Sequence, residues 1–143
     1  MRRKILIVDD NAGLVKLLRL AFRSAGYSVA TARNGIEALR KAKTLGPDLI
    51  VLDLVLPEVD GFAVCEALRR GSQTASVPVI MLTGLCSQLA RLAGFESGGT
   101  DFLTKPVSPA ELVSKANALL ESRGSGCAAA IPPPMSLDRR WLP

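Results

Sequence analysis

Short apolar runs that end in polar residues recur along the chain, separated by stretches with helical spacing. Ile5-Leu6-Ile7-Val8 runs into Asp9 and Asp10, and Leu49-Ile50-Val51-Leu52 runs into Asp53. The second run is bounded by Pro47 and Pro57. Unbroken apolar runs of this length belong to parallel strands buried on both faces. Tyr27 to Ala32 alternates weakly and reads as another strand, Pro78 to Thr83 as a fourth, and Asp101 to Thr104 as a short fifth.

Between these runs the apolar period changes to that of a helix. Leu14, Leu17, Leu18, Ala21, Phe22 and Ala25 form one stripe, with Lys16, Arg19 and Arg23 opposite, and Gly26 supplies a left-handed stop. Asn34-Gly35 turns the chain into a helix from Ile36 to Leu45, ended by Gly46-Pro47. Asp60 is placed to cap a helix through Phe62, Cys65 and Leu68 to Gly71. Leu89, Leu92 and Ala93 mark a fourth helix, closed by Gly98-Gly99. Ser108-Pro109 starts the last one, with Glu111 in capping-box position and Leu112, Ala116, Leu119 and Leu120 facing inward.

Five strands alternating with five helices imply right-handed βαβ crossovers, and so a doubly wound α/β domain around a parallel sheet. That domain is expected to span residues 1–123. Residues 124–143 lose all periodicity, are rich in Gly, Ala and Pro, and read as a linker or tail with an isolated Trp141.

Composition narrows the classes. With 143 residues the chain has room for one ordinary domain, and 48% apolar residues mark it as globular. Aromatics at 4% are too few for stacking platforms along single-stranded nucleic acid, and the net charge of +5 comes from scattered basic residues on helix faces. There is no histidine, and the three cysteines, Cys65, Cys86 and Cys127, form no CxxC pair. Zinc sites and histidine catalysis are thereby disfavoured. No apolar stretch is long enough for a signal or a membrane span, so a cytoplasmic location is expected, without membrane contact.

In a parallel sheet all strand C-termini share one rim. Asp9, Asp10, Asp53, Thr83 and Lys105 thus arrive together from four segments. Taken singly each has an ordinary reading: Asp9 or Asp10 as the cap of the first helix, Thr83 as a strand-end hydroxyl, Lys105 as a solvated amine. Together they form a different set. Clustered carboxylates repel one another, and a hard divalent cation such as magnesium relieves that repulsion while sharing a phosphate. A lysine and a hydroxyl nearby complete a group suited to phosphoryl transfer onto a carboxylate.

Four motifs carry a family resemblance: Ile-Leu-Ile-Val-Asp-Asp-Asn at 5–11, Leu-Asp-Leu-Val-Leu-Pro-Glu-Val-Asp-Gly at 52–61, Val-Ile-Met-Leu-Thr-Gly at 79–84 and Asp-Phe-Leu-Thr-Lys-Pro at 101–106. In this order the chain resembles the receiver domain of two-component response regulators. The resemblance implies a flavodoxin-like sheet in the order 2-1-3-4-5. It implies Asp53 as phosphoacceptor from a histidine kinase or phosphotransfer protein. Magnesium would be held by Asp9, Asp10, Asp53 and the backbone carbonyl of Val55. Lys105, before an expected cis bond to Pro106, would pair with the phosphoryl oxygens, beside Thr83 and the small Gly84. Phe102 would rotate inward as Thr83 moves, repacking the face of the fourth helix, fifth strand and fifth helix for partner binding or a phosphorylation-dependent homodimer.

The apolar Val55 and Leu85, which in this family flank the attacking water, imply slow self-dephosphorylation. No enzyme activity is expected beyond the domain's own phosphorylation and dephosphorylation, and no direct nucleic-acid binding. The competing reading is a pseudo-receiver that binds partners without phosphate.

Overall fold

A computed structural model of the chain describes residues 2–84, 92–93 and 95–124. Five strands, β1 Lys4–Val8, β2 Ser28–Ala32, β3 Leu49–Asp53, β4 Val79–Thr83 and β5 Asp101–Thr104, form one sheet in the order β2-β1-β3-β4-β5. Every neighbouring pair is parallel. Helices α1 Ala12–Ser24, α2 Gly35–Leu45 and α3 Gly61–Arg70 make the first crossovers, and a C-terminal helix, Pro109–Gly124, closes the fold. The expected order is borne out. The predicted fourth helix lies largely outside the described residues, as does the tail from residue 125. Only the fourth helix's last turn is described, where the Ser97 and Gly98 amides donate to the Ala93 and Phe95 carbonyls.

The buried strands read as apolar runs because both faces are covered. Leu6, Val8, Ile50, Leu52 and Met81 point to one side, against Ala38 and Ala42 of α2 and Val64 and Leu68 of α3. Ile5, Ile7, Leu49, Val51, Ile80 and Leu82 point to the other, against Leu18 and Phe22 of α1 and Leu112, Ala116 and Leu120 of the C-terminal helix. The two-residue period of a strand therefore sorts one apolar run into two cores.

Three expectations need correction. Asn11, not Asp9 or Asp10, caps α1: its side-chain oxygen accepts from the Leu14 amide at 3.1 Å. Leu17 is 51% exposed, because α1 turns Leu18 and Phe22 to the sheet and leaves its neighbour outside. Tyr27 precedes β2 instead of opening it. Its ring stands edge-on to Phe22, with centroids 5.7 Å apart, and its hydroxyl donates to Asn117. The Asp60 cap holds, accepting from the Ala63 amide at 2.8 Å.

At the sheet edge away from the strand C-termini, the end of α3 is tied to the strands beside it. The Arg69 guanidinium donates to the carbonyls of Gly98 at 2.9 Å, Val77 at 2.7 Å and Thr74 at 3.2 Å. One planar cation thereby fastens the connection into β4 and the segment entering β5.

Gly46 ends α2 with φ +60°, and a Cβ built there meets nothing within 4 Å. Its only requirement is conformational, so Gly46→Ala should cost about 1 kcal/mol in denaturant unfolding. Burial pushes the Cys65 thiol up from 9.0 to about 11. The folded state holds that proton more tightly than the unfolded chain does. The associated stability is therefore whole below pH 9.0 and lost as the pH climbs through about 11. Tyr27, also raised by burial, adds to the same alkaline loss. Unfolding measured between pH 8 and 11 should show this decline, with a shallower slope in Cys65→Ala.

Candidate metal and phosphoryl site

Parallel pairing brings the ends of β1, β3 and β4 to a common rim, with the residue after β5 beside them. Asp9 directly follows β1, Asp53 is the last residue of β3, Thr83 the last of β4, and Lys105 follows β5. Asp9 is 1% and Asp53 3% exposed, while Asp10 faces solvent. Each of these three acids offers an oxygen within 4.8 Å of the others. The Lys105 ammonium reaches between two of them, 3.2 Å from Asp9 Oδ2 and 3.2 Å from Asp53 Oδ2.

Backbone donors hold the remaining oxygens. Asp9 Oδ1 accepts from the Asn11 amide at 2.9 Å and Asp53 Oδ1 from the Val55 amide at 3.1 Å. Both carboxylates are thus oriented by the chain two residues on, in Asx-type turns. Lys105 is positioned from its own backbone: its amide donates to the Thr83 carbonyl at 2.8 Å, and its bond to Pro106 is cis, as the resemblance implied.

The electrostatics follow from this crowding. Burial raises Asp53 above the usual carboxylate range; the Val55 amide works against it, the charge of Asp9 adds to it, and Lys105 offsets part. For Lys105, burial pulls the ammonium down, but the charges and hydrogen bonds of Asp53 and Asp9 outweigh it and leave it raised. Ionised Asp53 is therefore held at some cost.

The other expected residues divide. Thr83 is buried at the rim, opposite Thr104 in the β4–β5 register. Gly84 borders open space, since a Cβ there meets nothing within 4 Å. Val55 stands 66% exposed beside Asp53. Phe102 is not poised outside: it is 3% exposed, packed in the core with its ring 5.6 Å from that of Phe95. Leu85 lies outside the described residues.

The pattern of apolar runs gave no sign of the loop between β3 and α3. Glu58 adopts φ +72°, and the Val59 amide donates to the Pro57 carbonyl at 2.8 Å. A hydrogen bond across one residue with positive φ is the rarer γ-turn, a strained conformation for a residue with a side chain. Pro57 and Gly61 announce a turn, but nothing in their identity reports its hand.

A buried acidic pair, an exposed third acid and one bridging ammonium thus form an acidic pocket at the C-terminal rim of a doubly wound α/β domain. The sequence profile of the response regulator receiver domain matches residues 5–117, and the chain belongs to that family. It is 46% identical over 117 residues to the DNA-binding dual master transcriptional regulator RpaA of Synechocystis, covering 82% of this chain and 48% of that protein. It is 45% identical over 120 residues to the transcriptional regulatory protein PhoP of Bacillus subtilis, covering 84% of this chain and 49% of that one. The chain thus spans about half the length of these relatives.

Among solved structures it is similar to the chemotaxis response regulator CheY4 of Vibrio cholerae, with TM-score 0.79 and 34% identity over 82% of this chain and 98% of that one. It is also similar to the receiver domain of the sensor histidine kinase PA1611 of Pseudomonas aeruginosa. There the TM-score is 0.78, the identity 31%, and the coverage 85% and 99%. That structure has a magnesium ion coordinated in its active-site cleft.

Replacing Asp53 tests the electrostatics directly. Its raised pKa means that the folded, metal-free protein disfavours the ionised form, a penalty present at neutral pH that vanishes as the pH falls and the carboxyl protonates. Asp53→Asn should melt above wild type at neutral pH without metal, with the difference closing in acid. Adding magnesium should raise the wild-type melting temperature and leave the variant's nearly unchanged.

Proposed function

We propose that this domain accepts a phosphoryl group on Asp53 from the phosphohistidine of a histidine kinase or phosphotransfer protein, in a magnesium-dependent reaction. The observation that carries this reading is the Lys105 ammonium 3.2 Å from both Asp9 and Asp53, beside three carboxylates whose oxygens lie within 4.8 Å of one another. These are hard oxygen donors, few in number and partly open to water, which suits magnesium. Asp9, Asp10, Asp53 and the Val55 carbonyl would hold the ion, and its charge would offset that of the incoming phosphoryl oxygens.

The chain's own residues supply the rest. An Asp53 oxygen attacks phosphorus as the phosphorus–nitrogen bond to the donor imidazole breaks, and the electron pair leaves with that nitrogen. Lys105 exchanges its contact with the acids for one with a phosphoryl oxygen. The Thr83 hydroxyl donates to another, and Gly84 leaves room for the group. The new charge, about −1.5 to −2, then biases the face of β5 and the C-terminal helix toward a partner or a second copy. Lys115 and Asp101 form an ion pair at 3.3 Å on that face. The domain performs no chemistry on other substrates and contacts no nucleic acid itself. RpaA is named as DNA-binding but is about twice as long as the matched region.

Incubation with acetyl phosphate and magnesium should add the mass of one phosphoryl group, and neither Asp53→Ala nor chelator-treated wild type should gain it. The exposed apolar Val55 offers the attacking water no hydrogen bond, so the phosphorylated protein should persist for minutes or longer. A half-life of seconds would contradict this role for Val55.

A further inference from the structure

The loop between β3 and α3 is closed against the phosphorylation site by a contact that admits no side chain. A Cβ built on Gly61 would lie 2.5 Å from the Leu54 Cα and 2.7 Å from the Asp53 carbonyl oxygen. Both obstacles are backbone, so no rotamer change relieves them. The Gly61 amide donates to the Leu54 carbonyl at 3.0 Å, which joins the first turn of α3 to the residue after Asp53. The strained Glu58 turn lies between, and Asp60 caps the helix immediately after it. On the outer side Val59 packs against α2, where a Cβ on Gly35 would come within 3.3 Å of Val59 Cβ.

These contacts surround one segment. Leu54 and Val55 are fixed at one end by the Val55 amide on Asp53 Oδ1 and at the other by Gly61 on Leu54. From this geometry we propose that Gly61 is a positioning residue for the cation. Its close approach to the Asp53–Leu54 backbone, kept tight by the strained turn at Glu58, presets the carboxylate of Asp53 and the carbonyl of Val55 for a divalent ion. The inference rests on the magnesium reading above and adds the part of the chain that sets the reach of two of its ligands. Preset ligands bind more tightly because less freedom is lost on binding. The strain at Glu58 is the cost of that arrangement within the folded protein.

Manganese titration followed by electron paramagnetic resonance, with melting of the same metal-free samples, separates positioning from mere stability. Gly61→Ala should weaken Mn²⁺ binding about tenfold or more, the range seen when groups behind metal ligands are changed. Gly71→Ala is the control. At the far end of α3 its Cβ would meet Thr74 Oγ1 at 2.7 Å, so it should lower the melting temperature and leave Mn²⁺ affinity as in wild type.

Compared with Glu58→Gln, which removes the same carboxylate and keeps the strained turn, Glu58→Gly relaxes the turn alone. It should melt at or above the wild-type temperature yet bind Mn²⁺ about threefold more weakly, a split that a purely structural role does not produce. A folded Gly61→Ala that binds Mn²⁺ within about twofold of wild type overturns the proposal. If Gly61→Ala does not fold, Glu58→Gly decides: affinity equal to that of Glu58→Gln overturns it, and weaker binding than Glu58→Gln at undiminished stability supports it. Wild type that fails to take up Mn²⁺ defeats the magnesium reading itself, and this inference with it.

Discussion

Two carboxylates, Asp9 and Asp53, are buried close together and share one ammonium, and much of the architecture serves that contact. Buried like charges repel strongly because little water screens them. Lys105 bridges them at 3.2 Å, and the Asn11 and Val55 amides occupy the oxygens it does not reach. Three acids against one amine still leave surplus negative charge at the rim. A divalent cation at the rim would offset that surplus. The parallel sheet is what makes the meeting possible, since it delivers the ends of distant strands to one edge.

The fold was legible because its cause is repetitive. Each apolar run needs both faces covered, each crossover needs a helix, and glycine or proline punctuates most of them. The acids were legible for a related reason: a carboxylate directly after a buried run, as at Asp53, is costly unless it is used. What escaped were choices that depend on rotation or hand. Leu17 and Leu18 are adjacent and equally apolar, and only packing decides which one α1 turns inward. Asp9 or Asp10 could have capped that helix; the cap falls to Asn11 because α1 begins at Ala12, directly after it. The positive φ of Glu58 has no signature in side-chain type, and Gly61 looked like turn punctuation when it is a steric necessity.

The outer strand β5 is only four residues long and, among the described residues, has a sheet neighbour on one side alone. Its first residue, Asp101, is held by Lys115 of the C-terminal helix. Short length and charge at an open edge are the usual protection against another chain adding itself as a further strand. A dimer using this side of the molecule would therefore be joined by side chains and not by a continued sheet. Such a contact is loosened by salt and by small shifts of the helix beside it, which makes it reversible in a way that main-chain annealing is not.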